Sequence, residues 1–427
     1  MTVQRTDRPV IVVGGGQAGL SMSWCLKQRG IDHLVLERDR LGQDWRDARW
    51  DSFCLVTPNW QCRLPGFPYA GDDPDGFMER DEVVAYLEAY AASFHPPLLE
   101  GVTVTDLRPD PEGGFELCTS AGEFTAGQVV IATGGYHVPR IPRFAERLPA
   151  HIEQIGSADY VNPDALPDGD VLVVGTGQSG CQIAEDLHLA ARTVHLCVGG
   201  ATRTARFYRG RDIVAWLHDL GHYDVPVHEH KLGEGVRAKA NQYVTGRDGG
   251  RDIDLRRFAR EGMRLYGRLT GIDGGVLTFA PDLKRNLAAA DAAAEAIKDT
   301  IDEHIDLHGI DAPREPRYSP VWEPGVQPRE LDVEATGIRS VVWSIGFDVD
   351  YRWVHAPIFD GRGRPCHERG VTDVAGLYLV GLPWQYTWGS GRFAGLARDT
   401  EYLAELIELG DRSALVTSLS RPAFGRR

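Results

Sequence analysis

The sequence predicts an α/β protein built from two dinucleotide-binding, Rossmann-like domains. The main evidence is a pair of Gly-x-Gly-x-x-Gly turns, each of which follows an apolar, β-branched run that is typical of a buried strand. The glycines of the two turns lie about 160 residues apart: Gly14, Gly16 and Gly19, then Gly175, Gly177 and Gly180. A chain of 427 residues also exceeds one ordinary core and should divide into two lobes.

Each turn has the residues that a pyrophosphate site requires. The first glycine lets the chain reverse, the second admits the pyrophosphate against bare backbone, and the third lets the next helix pack on the strand. The amides at the start of that helix then face the anion. A single turn of this kind also serves as a plain connection between strand and helix, but two in one chain predict two bound dinucleotides.

The residue after the second strand of the first unit is an acid. Glu37 follows the apolar run Leu34–Leu36 and lies about 20 residues beyond the glycines. At this spacing the ribose hydroxyls of an adenosine require an acceptor. The alternative is a solvated charge at a strand end.

The second unit lacks such an acid. Its second strand ends in Gly199 and Gly200, and four arginines follow: Arg203, Arg206, Arg209 and Arg211. Arginines in place of an acid favour a 2′-phosphate, hence NADP over NAD. A solvated basic loop is the other interpretation of the same residues.

Several further segments set the domain organisation. Residues 80–94 have apolar positions at helical spacing, and residues 203–330 are too long for a simple crossover, so we expect an insertion there. Within it, apolar residues recur in four-residue steps over residues 283–305, which predicts a long helix with one apolar face. We expect that helix to pack on its own lobe, with a lid or dimer contact as the alternative.

Composition excludes several classes of function. A net charge of −15 argues against a nucleic-acid partner. No signal-like core or membrane-length apolar run occurs, so we expect a soluble, cytoplasmic protein. The seven cysteines are scattered without a Cys-x-x-Cys pair, which argues against a disulfide reductase. Four histidines at 218–230 lack a further ligand at a defined distance, and we predict no metal site.

The chain resembles the flavin-containing monooxygenases, and most closely a bacterial branch of FAD-dependent oxidoreductases found in nitrilase-centred gene clusters. The resemblance rests on the paired glycine turns, on Ala132-Thr133-Gly134, and on a closing strand, glycine turn and helix from residue 376. It extends from Val10 to about Leu406 and implies an FAD-binding domain at 1–142 and 348–427. An NAD(P)-binding domain at 143–347 would carry the insertion.

By similarity, the resemblance also assigns cofactor contacts. FAD would contact Gly14, Gly16, Gln17, Gly19, Glu37, Trp45, Arg46, Val104, Thr133, Gly134, Gly381 and Leu382. NADP would contact Gly175, Gly177, Gln178, Ser179 and Gly180, with Arg203 replacing the basic residue usually found at Gly199. NADH is the alternative, and Gly156 stands where the group usually has a histidine.

The catalytic pocket is predicted from loop residues that offer hydrogen bonds or aromatic lining near the flavin ring: Asn59, Trp60, Gln385 and Tyr386, with Trp384 and Trp388 beside them. Aromatic core packing is the alternative for these residues. The resemblance implies that NADPH reduces FAD, that O2 adds to give the C4a-hydroperoxide, and that a small nitrogen or sulfur nucleophile accepts oxygen. An FAD-dependent dehydrogenase or reductase, a non-catalytic flavin-binding protein, and a homo-oligomer stay open.

Overall fold

The computed structural model describes residues 5–419 and has a mixed α/β architecture. The strands, in chain order, are β1 (Arg5–Val13), β2 (His33–Leu36), β3 (Arg63–Leu64), β4 (Phe67–Pro68), β5 (Leu98–Leu99), β6 (Val104–Pro109), β7 (Phe115–Thr119), β8 (Gly122–Ile131), β9 (Val138–Pro139), β10 (Glu153–Gly156), β11 (Asp170–Val174), β12 (Val194–Cys197), β13 (Phe207–Tyr208), β14 (Arg211–Asp212), β15 (Arg264–Tyr266), β16 (Leu269–Asp273), β17 (Val276–Phe279), β18 (Glu330–Asp332), β19 (Ile338–Trp343), β20 (Phe347–Asp348) and β21 (Leu377–Leu379). The helices are α1 (Gln17–Gln28), α2 (Gln43–Asp47), α3 (Arg80–Phe94), α4 (Gln178–Leu189), α5 (Ile213–Asp219), α6 (Leu255–Arg260), α7 (Leu283–His308), α8 (Val333–Thr336) and α9 (Leu396–Leu419).

The first sheet has the order β5-β2-β1-β8-β7-β6, and β21 pairs with β8. The strands β2, β1, β8 and β21 run parallel, whereas β7 and β6 form an antiparallel extension. In β1, Val10 and Val12 enter one buried cluster while Ile11 and Val13 enter another, because alternate side chains point to opposite faces. Both faces are therefore covered, as the continuous apolar run predicts.

The second sheet is parallel throughout, in the order β10-β19-β11-β12-β15. Its central strand β11 repeats the arrangement of β1, since Val171 and Val173 face one cluster and Leu172 and Val174 face another. The first of these clusters also contains Val10 and Val12, so the two sheets share one apolar core. The predicted fold class, with two Rossmann-like units, is confirmed.

The structure divides the expected insertion at 203–330 into two pieces. Strand β15 joins the second sheet beside β12, and strands β16, β17 and β18 form an antiparallel meander. These four strands separate the insertion into residues 203–263 and residues 280–329. The short strand β15 escaped prediction because three residues give no readable period. The helix expected at 283–305 is present as α7, and its side chains Ile301 and Ile305 pack against Trp216 of the insertion.

Two antiparallel segments connect the sheets. Strand β9 leaves the first lobe, β20 returns to it, and Phe347 pairs with Pro139 while Asp348 pairs with Val138. Arg140 Nε donates to Asp348 Oδ1 at 2.6 Å, and the Arg140 amide donates to the Gly346 carbonyl at 2.9 Å. We call this pair of segments the double crossing. Within residues 5–419, no helix is both long and apolar enough to cross a membrane.

Candidate active site

The first glycine turn has the shape of an anion cradle. Gly14 has a φ of +113°, and a Cβ there would lie 2.7 Å from the carbonyl oxygen of Ala132. A Cβ on Gly19 would overlap the carbonyl oxygen of Gly14, whereas a Cβ on Gly16 would meet no atom within 4 Å. The fold therefore requires the first and third glycines, and the second leaves open space in front of α1, where a pyrophosphate fits.

The second glycine turn repeats this geometry. Gly175 has a φ of +109°, and a Cβ there would run into the carbonyl group of Ser344. A Cβ on Gly180 would overlap the carbonyl oxygen of Gly175, but a Cβ on Gly177 would meet no atom within 4 Å. The open space lies before α4, whose first residues are the predicted contacts Gln178 and Ser179. Both turns thus fit a dinucleotide by the same physical test.

Glu37 lies beside the first cradle, directly after β2. Its Oε2 accepts a hydrogen bond from the amide of Gly15 at 2.5 Å, and its Oε1 accepts one from the amide of Asp39 at 2.9 Å. The carboxylate therefore sits next to the open space in front of α1. This is the position from which a ribose hydroxyl could donate to it.

Gln17 connects three of the predicted flavin-binding elements. Its Oε1 accepts a hydrogen bond from Trp45 Nε1 at 2.7 Å, and its Nε2 donates to the Gly391 carbonyl at 3.3 Å. The Trp45 ring stacks on Phe393, with centroids 5.6 Å apart. The start of α1, the α2 segment and the closing turn at 381–395 therefore meet at Gln17.

Other predicted FAD contacts lie at the carboxyl edge of the first sheet. Strands β1 and β21 both pair with β8 in parallel, so Gly14, Thr133 and Gly381 follow strand ends at one edge. Val104 begins β6 in the antiparallel extension. Arg46 forms an ion pair with Glu88. The amide of Leu382 donates to Gln385 Oε1 at 3.3 Å, so its hydrogen-bond partner is another residue of the closing turn.

Asn59 and Gln385 have their amide groups occupied by the backbone. Asn59 Nδ2 donates to the Asp73 carbonyl at 2.9 Å, and its Oδ1 accepts from the Met78 amide at 2.8 Å. Gln385 Nε2 donates to the Leu379 carbonyl at 2.9 Å. Both side chains are buried. They therefore shape the loops around the candidate pocket, and their predicted catalytic role stays a prediction.

The four aromatic residues predicted for the pocket face residues 218–230 of the insertion. Each has a histidine or tyrosine partner, with ring centroids 4.4 to 6.3 Å apart: Trp60 with His218, Trp384 with His230, Tyr386 with His228, and Trp388 with Tyr223. The Val227 amide also donates to the Tyr386 carbonyl at 2.8 Å. The insertion thus covers the closing turn. Burial lowers the pKa of His222 in this segment.

Arg203 does not have the environment predicted for a phosphate ligand. It is 3% exposed, its Nε donates to Asp291 Oδ1 of α7 at 2.7 Å, and its guanidinium stacks on Tyr318 at 3.9 Å. The other three arginines of the predicted phosphate loop are also bound to acids: Arg206 to Asp212, Arg209 to Asp302 and Arg211 to Asp219. α7 thus supplies the counter-ion of Arg203, and the expectation that Arg203 replaces the basic residue at Gly199 stays a prediction.

Gln178 is also held by the insertion. Its Nε2 donates to the Val244 carbonyl at 2.5 Å, and its Oε1 accepts from the Val244 amide at 3.3 Å. The same region contains Asp186 of α4, which accepts hydrogen bonds from Ser52, Tyr160 and Arg247 at 2.5 to 2.8 Å. Since Ser52 belongs to the first lobe, this buried carboxylate ties the two lobes together.

The sequence patterns did not single out three charged residues near the closing turn. Arg49 and Arg392 are half-buried and stack on aromatic rings. Asp399 lies in the first turn of α9 and is 1% exposed, and burial raises its pKa to about 6. No motif marks these positions. The proximity of Arg49 and Arg392 to tryptophans in the sequence was the one signal that could have drawn attention to them.

Comparisons with known proteins agree with this geometry. A family model described as pyridine nucleotide-disulphide oxidoreductase matches residues 11–218. A relative from Geobacillus kaustophilus (strain HTA426), named an uncharacterized CzcO-like oxidoreductase, is 34% identical over 401 residues, which are 92% of this chain and 96% of the relative. This chain belongs to the CzcO-like oxidoreductases.

Two further similarities are more distant. The indole-3-pyruvate monooxygenase YUCCA1 of Oryza sativa subsp. japonica is 34% identical over 180 residues, which are 42% of this chain and 44% of that protein. The solved structure of a flavin-containing monooxygenase from Stenotrophomonas maltophilia superposes with a TM-score of 0.65 at 18% identity, over 95% of this chain and 99% of that one. At this identity the superposition shows a shared fold.

This CzcO-like chain is therefore an enzyme, an oxidoreductase of the flavin- and pyridine-nucleotide-dependent kind. FAD and NADP, the two predicted cofactors, are the ones that the family model and the fold support, and the two glycine cradles fit them. Its seven cysteines are all free thiols, and five are buried. Burial raises the pKa of Cys54 to about 11 and that of Cys62 to about 12. Among the described residues, no group of three or more side chains could hold a metal ion.

Proposed function

We propose that this CzcO-like oxidoreductase is an FAD- and NADPH-dependent monooxygenase that oxygenates a small nucleophilic compound. The observation that carries the proposal is the repeated glycine cradle, with open space in front of α1 and again in front of α4. Two dinucleotides bound in one chain favour hydride transfer from one to the other. The names of the more distant relatives, which are monooxygenases, support oxygen as the next acceptor.

The cysteines support an external acceptor as well. A disulfide reductase would need a thiol pair beside the flavin with a lowered pKa, because the thiolate is the reactive form. Here the pKa values of Cys25, Cys54 and Cys62 are all raised by burial. When bound, FAD would supply the chemistry of hydride acceptance and oxygen activation.

The chain's own residues would hold and shield these groups. The backbone amides at the start of α1 and α4 would bind the two pyrophosphates, and Glu37 would accept from the ribose. The closing turn and the insertion cover the candidate pocket with Trp384, Tyr386 and Trp388, which would exclude water from it. A nitrogen-containing substrate, within nitrile-related metabolism in the cytoplasm, is the finer proposal and rests on the resemblance to the nitrilase-cluster branch.

Rapid mixing tests the proposed function. The FAD-loaded protein is reduced anaerobically with NADPH and, in parallel, with NADH, and is then mixed with oxygenated buffer. We expect faster reduction by NADPH and a transient near-ultraviolet absorbance before the flavin returns to its oxidised spectrum. Direct reoxidation without a transient would instead support a dehydrogenase or reductase. Failure of both nicotinamides to reduce the flavin would leave a non-catalytic flavin-binding protein.

A further inference from the structure

Arg49 and Arg392 are half-buried arginines beside the closing turn that form no ion pair in the described part of the chain, and Arg369, which stacks on Tyr386, is a third. By contrast, the buried Arg203 and Arg206 and the half-buried Arg247 each bind a carboxylate at 2.6 to 2.7 Å. Within residues 6–410, whose side chains the structure describes, neither Arg49 nor Arg392 forms an ion pair. A guanidinium that is desolvated without a counter-ion is unfavourable, so a chain that keeps two of them at one site gains from an anionic ligand.

Arg392 lies between the closing turn and the insertion. Its guanidinium stacks on the Trp388 ring, 4.1 Å from the centroid, and donates to the Trp388 carbonyl and, at 3.2 Å, to Asn241 Oδ1. The other neighbour of Trp388 is Tyr223, whose ring centroid is 4.4 Å away. A guanidinium has five N–H groups, and these two bonds leave donors for a ligand. Aromatic rings beside it would pack against the carbon skeleton of that ligand.

Arg49 approaches the same site from the first lobe. Its guanidinium lies 5.0 Å from the Trp45 ring centroid and 5.7 Å from that of Phe53. Trp45 stacks on Phe393, the residue after Arg392. Burial lowers the pKa of both arginines, while the nearby Asp44 carboxylate raises that of Arg49 and the Tyr136 phenol raises both. Both guanidinium groups therefore lie within electrostatic reach of one side chain, Tyr136.

We propose that Arg392, assisted by Arg49, binds the carboxylate of the substrate, so that the enzyme oxygenates small organic acids. This inference rests on the proposed function, because it names the substrate class of the same site. A planar guanidinium pairs with a carboxylate through two parallel hydrogen bonds, which fixes orientation as well as affinity. In a chain of net charge −15, a local pair of cations is also what would draw an anion into the site.

The probes are benzoate and its neutral counterpart benzamide, titrated into the oxidised, FAD-loaded protein without NADPH. Binding is followed by the change in the flavin spectrum and by thermal stabilisation. We expect saturable binding of benzoate, and at least about 10-fold weaker binding of benzamide, since loss of a charge-assisted pair removes most of the affinity. Equal binding of the two probes, or no binding of benzoate, would overturn the proposal.

Variants of Arg392 and Arg49 test whether these two side chains cause the preference for benzoate. Arg392→Met should weaken benzoate binding by at least about 10-fold, Arg392→Lys by less, and Arg49→Met by about 3-fold. Arg398→Met is the matched control, because Arg398 follows the same turn but already has an ion pair with Asp224. Its benzoate affinity should equal that of the wild type. Arg392→Lys keeps the charge and covers the case in which the methionine variant does not fold.

The cofactors' phosphates are the competing source of anionic ligand. If Arg392→Met loses FAD on gel filtration, or weakens NADP+ binding while benzoate affinity is unchanged, the arginine serves a cofactor and the proposal is wrong. All of these titrations precede turnover. A failure of benzoate binding is therefore distinguishable from a failure of oxygen transfer, which only the rapid-mixing experiment measures.

Discussion

The alanine variants of Gly16 and Gly177 give a direct test of the two-cradle assignment. A Cβ at either position meets no atom within 4 Å, and φ at the two residues is −78° and −65°. Neither variant therefore strains the backbone, and each should change stability by about 1 kcal/mol or less, because the entropy gain is offset by the poorer N-cap that alanine makes. The new methyl group would occupy the space in front of the helix that the pyrophosphate needs.

The loss of affinity follows from the hydrogen bonds at stake. A backbone hydrogen bond to a charged group contributes about 1.5–3 kcal/mol, so displacing the pyrophosphate from one or two amides should cost about 3 kcal/mol. That corresponds to about 100-fold in affinity. Gly16→Ala should release FAD, measured as the flavin-to-protein ratio after gel filtration. Gly177→Ala should retain FAD and raise the KM for NADPH.

The paired design makes the outcome decisive. Each variant is the control for the other, because the substitution and its surroundings are alike and only the predicted ligand differs. If Gly177→Ala loses flavin as readily as Gly16→Ala does, the assignment of FAD to the first cradle is wrong. If both variants bind both cofactors with wild-type affinity, the open space in front of α1 and α4 does not hold the pyrophosphates.

Three further substitutions test the buried charges. Burial raises the pKa of Asp399 from 3.8 to about 6, so its ionisation costs about 3 kcal/mol of folding free energy. This cost develops as the pH rises from about 4 to about 6. Asp399→Asn should therefore stabilise the protein at pH 8 and not at pH 4, as measured by urea unfolding. Arg203→Met breaks the buried pair with Asp291 and should cost about 3 kcal/mol of stability without changing the ratio of the KM values for NADPH and NADH. Asp186→Asn removes the counter-ion of Arg247 and should cost about 2 kcal/mol in the same unfolding assay.

Each of these has an outcome that would contradict it. A stabilisation by Asp399→Asn that is equal at pH 4 and pH 8 would mean that the carboxyl is not the titrating group. A selective rise in the KM for NADPH in Arg203→Met would restore the phosphate role that Asp291 argues against. An Asp186→Asn variant as stable as the wild type would show that the ion pair with Arg247 contributes nothing to stability.

The sequence was sufficient for the architecture because the relevant signals are local. The strand, glycine turn and helix succeed one another within about 20 residues at both cradles, and the apolar period of α7 is readable over its 26 residues. The helix α3 likewise has the predicted bounds, Arg80–Phe94. Local periodicity and glycine spacing therefore locate the parts of the fold that bind phosphate.

The surroundings of the site depend on contacts between residues that are far apart in the sequence, and a local sequence pattern cannot predict such contacts. Arg203 and Asp291 are 88 positions apart, so charge patterning around Arg203 gave no hint of its partner. The amides of Asn59 and Gln385 are occupied by backbone groups whose approach depends on loop geometry. Which polar groups are satisfied, and which are left for a ligand, is thus a property of the tertiary structure.

The double crossing restricts how one lobe can move relative to the other. A single strand between two lobes bends and swivels in every direction, but two strands bonded side by side resist bending in their common plane and yield mainly to twist. The Arg140–Asp348 pair and the bond to the Gly346 carbonyl hold them together along their length. A rotation of one lobe against the other about this connection would therefore be mainly a twist. Such a twist would move all groups of the second lobe together, as one rigid body, relative to the first lobe.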